Sequence, residues 1–252
     1  MTTTPEELSA LLADAYAQNA AQVNVPAHLE PATSADAYRA QQAFLQHRGL
    51  DIGGWKIGAK SEDGPIQGAP LPRQGIHPSP AVLARSDFPV FGIELEIMFR
   101  FGRDFLPGVA AVSEEEVLAS IDGIAASIEI VSSRLTGWPD VPKLNQLADL
   151  QNHGALIVGE FVAYDADLDF RSPQAHLVLN GRDVFRSAGT NPAGDPRRLL
   201  HWLVGHCNAQ NIALPAGTVI TAGSYTGMVF PEEAGLVEGE IAGLPAVRFE
   251  IA

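Results

Sequence analysis

The residues best placed to do chemistry are two glutamates inside an apolar run, residues 92–99 (GIELEIMF). Side chains alternate across a β-strand, so the apolar residues would face one side while Glu94 and Glu96 project together from the other. Two carboxylates on one face repel each other unless a cation sits between them or one holds a proton. The pair therefore indicates either a cation site or the solvated face of a half-exposed sheet.

A third acid shifts the balance toward a cation site. Glu129 lies in another short β-branched run, residues 126–131 (ASIEIV). Three carboxylates from adjacent strands suit a hard divalent cation, Mg²⁺ or Mn²⁺, because such ions prefer oxygen ligands. Lys56 and Asp149 are candidate proton-transfer groups beside this cluster. Taken alone, Lys56 also fits a lysine that extends to solvent between apolar neighbours.

The composition describes a globular protein. Of 252 residues, 46% are hydrophobic and 18% are charged, which is enough apolar material for a core and too little charge for disorder. The formal net charge of −14 disfavours binding to nucleic acid. The sequence has no basic N-terminal region and no run of about eighteen apolar residues, so we expect a cytoplasmic protein. The single cysteine, Cys207, excludes an internal disulfide and a cysteine-based metal site.

The N-terminal part of the chain has a helical pattern. A capping box at Thr4 predicts a helix over about residues 5–22, and Ser34 is placed to cap a second helix. Beyond residue 50 the texture changes to short β-rich runs broken by glycine and proline. We therefore expect a helical N-terminal segment, residues 1–50, followed by a β-rich catalytic unit, residues 51–252.

Within the β-rich part, two stretches make specific structural predictions. Residues 62–80 are rich in glycine and proline, contain His77, and predict a long loop of the kind that often forms a lid. The pair Asn180-Gly181 predicts a tight hairpin.

Several chemistries lack their usual signatures. The sequence contains no Gly-x-Gly-x-x-Gly, no phosphate-binding Gly-Lys-Ser/Thr loop, no Cys-x-x-Cys and no Gly-x-Ser-x-Gly. A two-carboxylate glycosidase is disfavoured because residues at i and i+2 lie on the same side, whereas a glycosidase flanks its bond from two sides. A non-catalytic protein that binds small acids stays open as an alternative.

The order of the motifs resembles a known family. The motifs are residues 55–58 (WKIG), the Glu94-x-Glu96 strand, and residues 127–134 (SIEIVSSR), 148–149 (AD) and 221–227 (TAGSYTG). Together they resemble the hydratase/decarboxylase branch of the fumarylacetoacetate hydrolase superfamily, over nearly the whole chain. The resemblance implies an α+β fold, a mixed β-sandwich roll with a helical N-terminal segment and flanking helices. It also implies a homo-oligomer.

The resemblance further implies roles for individual residues. Glu94, Glu96 and Glu129 match the family's ligands for Mg²⁺ (or Mn²⁺). Lys56 and Asp149 match its active-site groups. Ser61, Ser224 and Thr226 match positions that contact the substrate carboxylate.

The implied activity is hydration of a 2-hydroxy-2,4-dienoate or 2-oxo-4-enoate to a 4-hydroxy-2-oxo acid, as in meta-cleavage degradation of aromatic compounds. The alternatives are a 4-oxalocrotonate-type decarboxylase and a C–C bond hydrolase, the latter needing a base on a lid, for which His77 or Glu62 are candidates. Residues 150–152 and the 62–80 loop depart from the family pattern, which leaves the substrate open.

Overall fold

Two helices occupy the start of the chain in the computed structural model, which describes residues 4–18, 22–108 and 111–252. Helix α1 (Thr4–Ala17) ends before the predicted residue 22, and residues 19–21 of that prediction lie outside the described residues. Helix α2 (Ser34–Arg48) is capped by Thr33 and not, as predicted, by Ser34. Thr33 accepts a hydrogen bond from the Asp36 amide, and the Asp36 carboxylate accepts one from the Thr33 amide.

The rest of the described chain is mainly β-structure with three further α-helices. The helices are α3 (Glu114–Leu118), α4 (Lys143–Ala148) and α5 (Arg198–Ala209). The strands are β1 (Ile52–Gly58), β2 (Gln67–Pro72), β3 (Ile76–Pro78), β4 (Ala81–Leu83), β5 (Gly92–Phe101), β6 (Ile121–Val131), β7 (His153–Val158), β8 (Val162–Ala163), β9 (Gln174–Leu179), β10 (Arg182–Ala188), β11 (Val219–Ser224), β12 (Gly235–Ile241) and β13 (Val247–Ile251).

The strands form two mixed sheets. The larger sheet has the order β2-β1-β11-β5-β6-β7-β3, with β8 paired to β6, and the smaller has the order β10-β9-β12-β13-β4. The apolar side chains of both sheets share one core, in which Leu95 and Ile128 meet Val237 and Phe249. At Gly239 a Cβ would lie 2.6 Å from Leu95 Cδ1, so a larger residue here would have to displace the Leu95 side chain or move β12 away from β5. This two-sheet arrangement confirms the predicted α+β class.

The prediction of a long loop over residues 62–80 is wrong in part, because this stretch contains β2, a 3₁₀ turn (Arg73–Gly75) and β3. Prolines 70 and 72 of β2 caused the error, since proline cannot donate to a sheet. In the structure β2 is an edge strand that pairs with β1, and edge strands tolerate proline. His77 accordingly lies on β3, paired with Ile157 of β7.

Helices α1, α2 and α4 form a second apolar cluster that includes Leu8, Leu12, Phe44 and Leu147. The predicted division of the chain at residue 50 stays a prediction. The hairpin at Asn180-Gly181 is confirmed, with φ of 52° and 77°. Within the described part of the chain, no helix is both long and apolar enough to cross a bilayer.

The capping box of α2 gives a stability test. Thr33→Ala removes the side chain that accepts from the Asp36 amide, and we expect the free energy of unfolding to fall by about 1 kcal/mol. Ser34→Ala is the matched control, since Ser34 lies inside the first turn, and should change it by less than about 0.5 kcal/mol. Urea unfolding followed by circular dichroism measures both, and the reverse order would place the cap at Ser34.

Candidate metal centre and active site

Three glutamates meet on one face of the larger sheet. Strands β5 and β6 are antiparallel, with Glu94 directly opposite Glu129. Glu96 projects on the same side as Glu94, and one carboxylate oxygen from each of the three lies within 4.8 Å of the others. Glu96 and Glu129 are 3% and 0% exposed, whereas Glu94 is half-buried. The shared carboxylate face predicted from the alternation is therefore present.

One oxygen of Glu96 is held by the end of strand β11. Thr221 Oγ1 donates a hydrogen bond to Glu96 Oε2, and the Gly223 amide donates a second at 3.1 Å. Gly223 has φ of 91°, a left-handed conformation that glycine adopts without strain. The end of β11 therefore orients the Glu96 carboxylate before any ligand arrives.

Glu129 has one occupied oxygen and one free oxygen. Lys56 Nζ lies 2.6 Å from Glu129 Oε1, and His153 Nδ1 lies 3.0 Å from the same atom. Glu129 Oε2 is buried and has no hydrogen-bond partner among the described residues. A buried acceptor without a donor is costly, and a hard cation satisfies it. The donor set of three carboxylates thus fits a divalent ion such as Mg²⁺ or Mn²⁺.

The contact between Lys56 and Glu129 requires a curled sheet. Strand β1 carries Lys56 and is separated from β6 by β11 and β5. In a flat sheet, three strand spacings would hold β1 and β6 about 14 Å apart. Since Nζ nonetheless reaches Glu129 Oε1 at 2.6 Å, the sheet bends round the carboxylates and encloses them. The Lys56 side chain is 14% exposed, so the interpretation of Lys56 as a solvent-extended lysine is wrong.

A strained loop completes the surroundings of Lys56. Lys56 Nζ also donates to the backbone carbonyl of Gln151, in this loop, at 3.1 Å. Leu150, Gln151 and Asn152 have φ of 49°, 51° and 59°, so three consecutive residues adopt the left-handed region. Such residues cost on the order of 1–3 kcal/mol each and persist where their surroundings hold them. This loop is one of the two stretches that depart from the family pattern.

Asp149 is engaged elsewhere. Its Oδ2 accepts from the Arg134 amide at 2.9 Å and from Ser133 Oγ at 3.2 Å, and its Oδ1 accepts from Arg134 Nε. Arg134 in turn donates to the carbonyls of Asp149 and His153, at 2.8 and 2.7 Å. This buried pair fixes both ends of the strained loop. These contacts give Asp149 a positioning role. Direct proton transfer by Asp149 stays a prediction, and both of its carboxylate oxygens already accept hydrogen bonds.

The three predicted contacts to the substrate carboxylate are placed differently. Ser224 is opposite Glu96 in the β11–β5 register, and Thr226 Oγ1 accepts from the Leu95 amide at 3.3 Å, so both border the carboxylates. Ser61 is exposed in the turn after β1, where its carbonyl accepts from Arg198. Their roles as substrate contacts stay predictions.

The buried carboxylates have shifted proton affinities. Burial and the charge of Glu129 raise the pKa of Glu94 to about 7. Burial, together with the charges of Glu129 and Glu94, raises the pKa of Glu96 to about 8. Burial would also raise the pKa of Glu129, but Lys56 and His153 outweigh it and lower that pKa. Burial opposes the charge of Lys56, yet the glutamates raise its pKa, so Lys56 stays protonated.

Three supporting residues were missed in the sequence, namely His153, Thr221 and Arg134. His153 opens a buried strand after a polar loop, which is a usable signal, although His153 lies 24 positions from Glu129. Nothing local indicates that Arg134 pairs with Asp149, since that contact depends on how the chain returns after α4.

The fold and the site define an α+β protein whose curled mixed sheet encloses a three-carboxylate centre. The chain belongs to the fumarylacetoacetate (FAA) hydrolase family, whose C-terminal domain model matches residues 12–252. This confirms the family predicted from the motifs.

Named relatives lie in the same branch. The chain is 28% identical over 158 residues to a 2-keto-4-pentenoate hydratase of Paraburkholderia xenovorans, covering 63% of this chain and 58% of the relative. It is 32% identical over 143 residues to a 2-hydroxyhexa-2,4-dienoate hydratase of Comamonas testosteroni, covering 56% and 52%. The chain thus matches little more than half the length of these relatives.

A solved structure shows the same fold. The 4-oxalocrotonate decarboxylase of Pseudomonas putida G7, complexed with magnesium and adipate, superposes with a TM-score of 0.84 and 22% identity. The superposition covers 100% of this chain and 99% of that one. It confirms the predicted roll with its helical N-terminal segment.

The raised pKa values predict how the metal-free protein responds to pH. Because the folded pKa values of about 7 and 8 lie above the ordinary 4.5, folding retains protons that the unfolded chain releases. The contribution of Glu94 and Glu96 to stability in EDTA should therefore fall as pH rises from about 4.5 to 8. Glu96→Gln should flatten this decline, because its amide does not ionise. His77, His153 and His206, whose pKa values burial lowers, contribute in the opposite direction in both proteins. Urea unfolding at pH 5, 6, 7 and 8 tests this, and parallel profiles for the two proteins would contradict it.

The Asp149–Arg134 pair predicts a large stability effect. Asp149→Asn leaves a buried guanidinium without its counter-charge, so the free energy of unfolding should fall by about 3–5 kcal/mol. The matched control is Asp122→Asn, which breaks the half-exposed pair with Arg100 and should cost at most about 1 kcal/mol. Similar small losses in both variants, measured by urea unfolding, would refute the positioning role of Asp149.

Proposed function

We propose that the protein is a metal-dependent hydratase that adds water to a 2-hydroxy-2,4-dienoate, or its 2-oxo-4-enoate tautomer, to give a 4-hydroxy-2-oxo acid. The observation that carries this proposal is the cluster of Glu94, Glu96 and Glu129 with a protonated Lys56 bonded to Glu129. The hydratases among the relatives support it, as does the P. putida decarboxylase structure with magnesium.

Glu94, Glu96 and Glu129 would hold the Mg²⁺ or Mn²⁺ ion. When bound, the ion supplies Lewis acidity toward the 1-carboxylate and 2-oxygen of the substrate. The protein's own contribution is preorganisation. Thr221 and Gly223 fix Glu96, while Lys56 and His153 fix Glu129, so the carboxylates need little rearrangement on loading.

Lys56 is the proposed catalytic residue. Its ammonium is positioned by Glu129 Oε1 and the Gln151 carbonyl, which leaves its third proton available to the substrate's 2-oxygen. Negative charge builds on that oxygen as a dienolate forms, and the hydrogen bond from Nζ strengthens with it. Asp149 acts through Arg134 and the loop that carries Gln151. Ser61, Ser224 and Thr226 are proposed contacts to the substrate carboxylate.

The structure bears on the rival C–C hydrolase, which needs a base on a lid. His77 lies on β3 and lines a cavity of about 420 Å³ with Tyr16 and Arg48, and the three glutamates are not part of that lining. Glu62 is exposed and pairs with Arg171 at 2.9 Å. Neither group supports the lid mechanism. The decarboxylase and the non-catalytic binding protein are outcomes of the test below, and the homo-oligomeric state and cytoplasmic location stay predictions.

The direct test is turnover of 2-hydroxypenta-2,4-dienoate by the Mg²⁺-loaded protein, followed as loss of dienol absorbance with mass identification of the 4-hydroxy-2-oxo acid. Glu96→Gln should lose Mg²⁺ binding and activity together. Lys56→Met should lower kcat by about a hundredfold or more, as for loss of an oxyanion donor, with little change in Mg²⁺ affinity.

The control is Lys143→Met, which removes an exposed lysine on α4 and should behave like the parent protein. Release of CO₂ from a 5-carboxylated substrate without hydration of the dienoate would identify a decarboxylase instead. Tight binding of 2-oxo acids with no turnover of either substrate would identify a binding protein.

A further inference from the structure

The carboxylate cluster is accessible from one side. Glu96 and Glu129 are almost completely buried, whereas Glu94 is only half-buried. Glu94 also lies nearest the start of β5, so a ligand that reaches the cluster does so past this end of the strand. The groups beside Glu94 therefore decide which ligands fit.

The surroundings of Gly92 identify the side chains that lie beside Glu94. Residues 92 and 94 share a face of β5, because alternate residues project on the same side. A Cβ built at Gly92 would lie 2.8 Å from Met228 Cγ and Sδ and 3.4 Å from Phe230 Cε1. Met228 and Phe230 consequently cover the carboxylate face one pleat beyond Glu94, about 7 Å along the strand.

The backbone holds these side chains in place. After β11 the chain runs back along β5, with the Tyr225 amide donating to the Leu95 carbonyl at 2.9 Å. Val229 and Ile93 then exchange two hydrogen bonds, of 2.8 and 3.0 Å. This isolated bridge holds the backbone next to Phe230 against β5 and so sets Phe230 beside Gly92.

A second aromatic residue reaches the same place from β6. That strand ends at Val131, opposite Gly92, and the segment after it carries Trp138. The rings of Trp138 and Phe230 have their centroids 6.3 Å apart. We call Met228, Phe230 and Trp138 the apolar wall.

We propose that the apolar wall binds the distal end of the substrate and selects 2-hydroxydienoates that carry an alkyl group at C5 over those that carry a carboxylate there. This inference rests on the proposed function and names its substrate class. Phe230 is 52% exposed, and an alkyl tail that covers the ring removes apolar surface of both molecules from water.

Charged residues follow two of the wall residues in the sequence. Asp140 follows Trp138 by two positions, and Glu232 and Glu233 follow Phe230, all three being exposed. Glu233 pairs with Arg182, and Lys143 Nζ lies 3.5 Å from the carbonyl of Pro139, between Trp138 and Asp140, so the charges on these segments are of both signs.

Arg85 is a further cation close to the segment that follows Phe230. Arg85 donates to the Pro231 carbonyl at 2.7 Å, and its guanidinium stacks 5.5 Å from the centre of the Phe91 ring. These contacts direct Arg85 to the backbone behind Phe230. Discrimination against a carboxylated tail therefore rests on the cost of placing a carboxylate against the apolar side chains of the wall.

Binding of non-reacting 2-oxo acids isolates the wall from catalysis. Isothermal titration of the Mg²⁺-loaded protein with 2-oxobutanoate, 2-oxopentanoate and 2-oxohexanoate should give an affinity that rises about fourfold per added methylene. 2-Oxoadipate should bind at least about tenfold more weakly than 2-oxohexanoate. Phe230→Ser should abolish the dependence on tail length while the affinity for 2-oxobutanoate and for Mg²⁺ stays near that of the parent.

The matched control is Leu106→Ser, which removes a side chain of similar exposure, 55%, from another surface and should leave the tail dependence intact. Tryptophan fluorescence should respond to 2-oxohexanoate, and Trp138→Phe should remove that response. An unchanged tail dependence in Phe230→Ser would overturn the wall alone. The wall would also be overturned as a substrate site if sedimentation showed that Phe230→Ser breaks an oligomer, because a second copy of the chain would then occupy the wall. Failure of every 2-oxo acid to bind would overturn the proposed function as well.

Discussion

The contact between Lys56 and Glu129 is the constraint around which the rest of the site is arranged. It joins two strands that have two others between them, and it exists only because the larger sheet curls. The curl also withdraws Glu96 and Glu129 from water, which makes their charges costly. One lysine cannot neutralise three carboxylates. The enclosure therefore leaves an excess of negative charge that a divalent cation or protons must balance, and the raised pKa values of Glu94 and Glu96 express the same excess.

The strained loop, residues 150–152, contacts the same Lys56 ammonium through the Gln151 carbonyl. Three left-handed residues direct the Gln151 carbonyl at Lys56, and the backbone would relax without restraint. The restraint is the buried Asp149–Arg134 pair, whose guanidinium also holds the His153 carbonyl. His153 Nδ1 in turn contacts Glu129, so the Asp149–Arg134 pair and the cluster of three glutamates form one connected network. A residue that the family pattern places among the site groups thus acts on the site through its neighbours.

The two faces of β5 have different surroundings: one packs into the core and the other carries the glutamates. Ile93, Leu95 and Ile97 pack into the core shared with the smaller sheet, which makes the strand rigid. The opposite face carries Gly92, Glu94 and Glu96 in sequence, so an apolar wall and two carboxylates lie on one straight support. The absence of a side chain at Gly92 is what admits Met228 and Phe230 beside the carboxylates. In the proposed function, neighbouring positions of one strand therefore serve both the chemistry and the choice of substrate.

The sequence by itself determined what depends on local periodicity. Alternation placed Glu94 and Glu96 on one face, the Asn180-Gly181 turn predicted its hairpin, and the spacing of the motifs identified the family. The tertiary structure decided what depends on distant segments. Only the curl of the sheet brings Lys56 to Glu129, 73 positions away, and only the return of the chain after α4 pairs Asp149 with Arg134. The prolines of β2 were misread for the same reason, because an edge position in a sheet is a property of the fold and not of the residues within the strand.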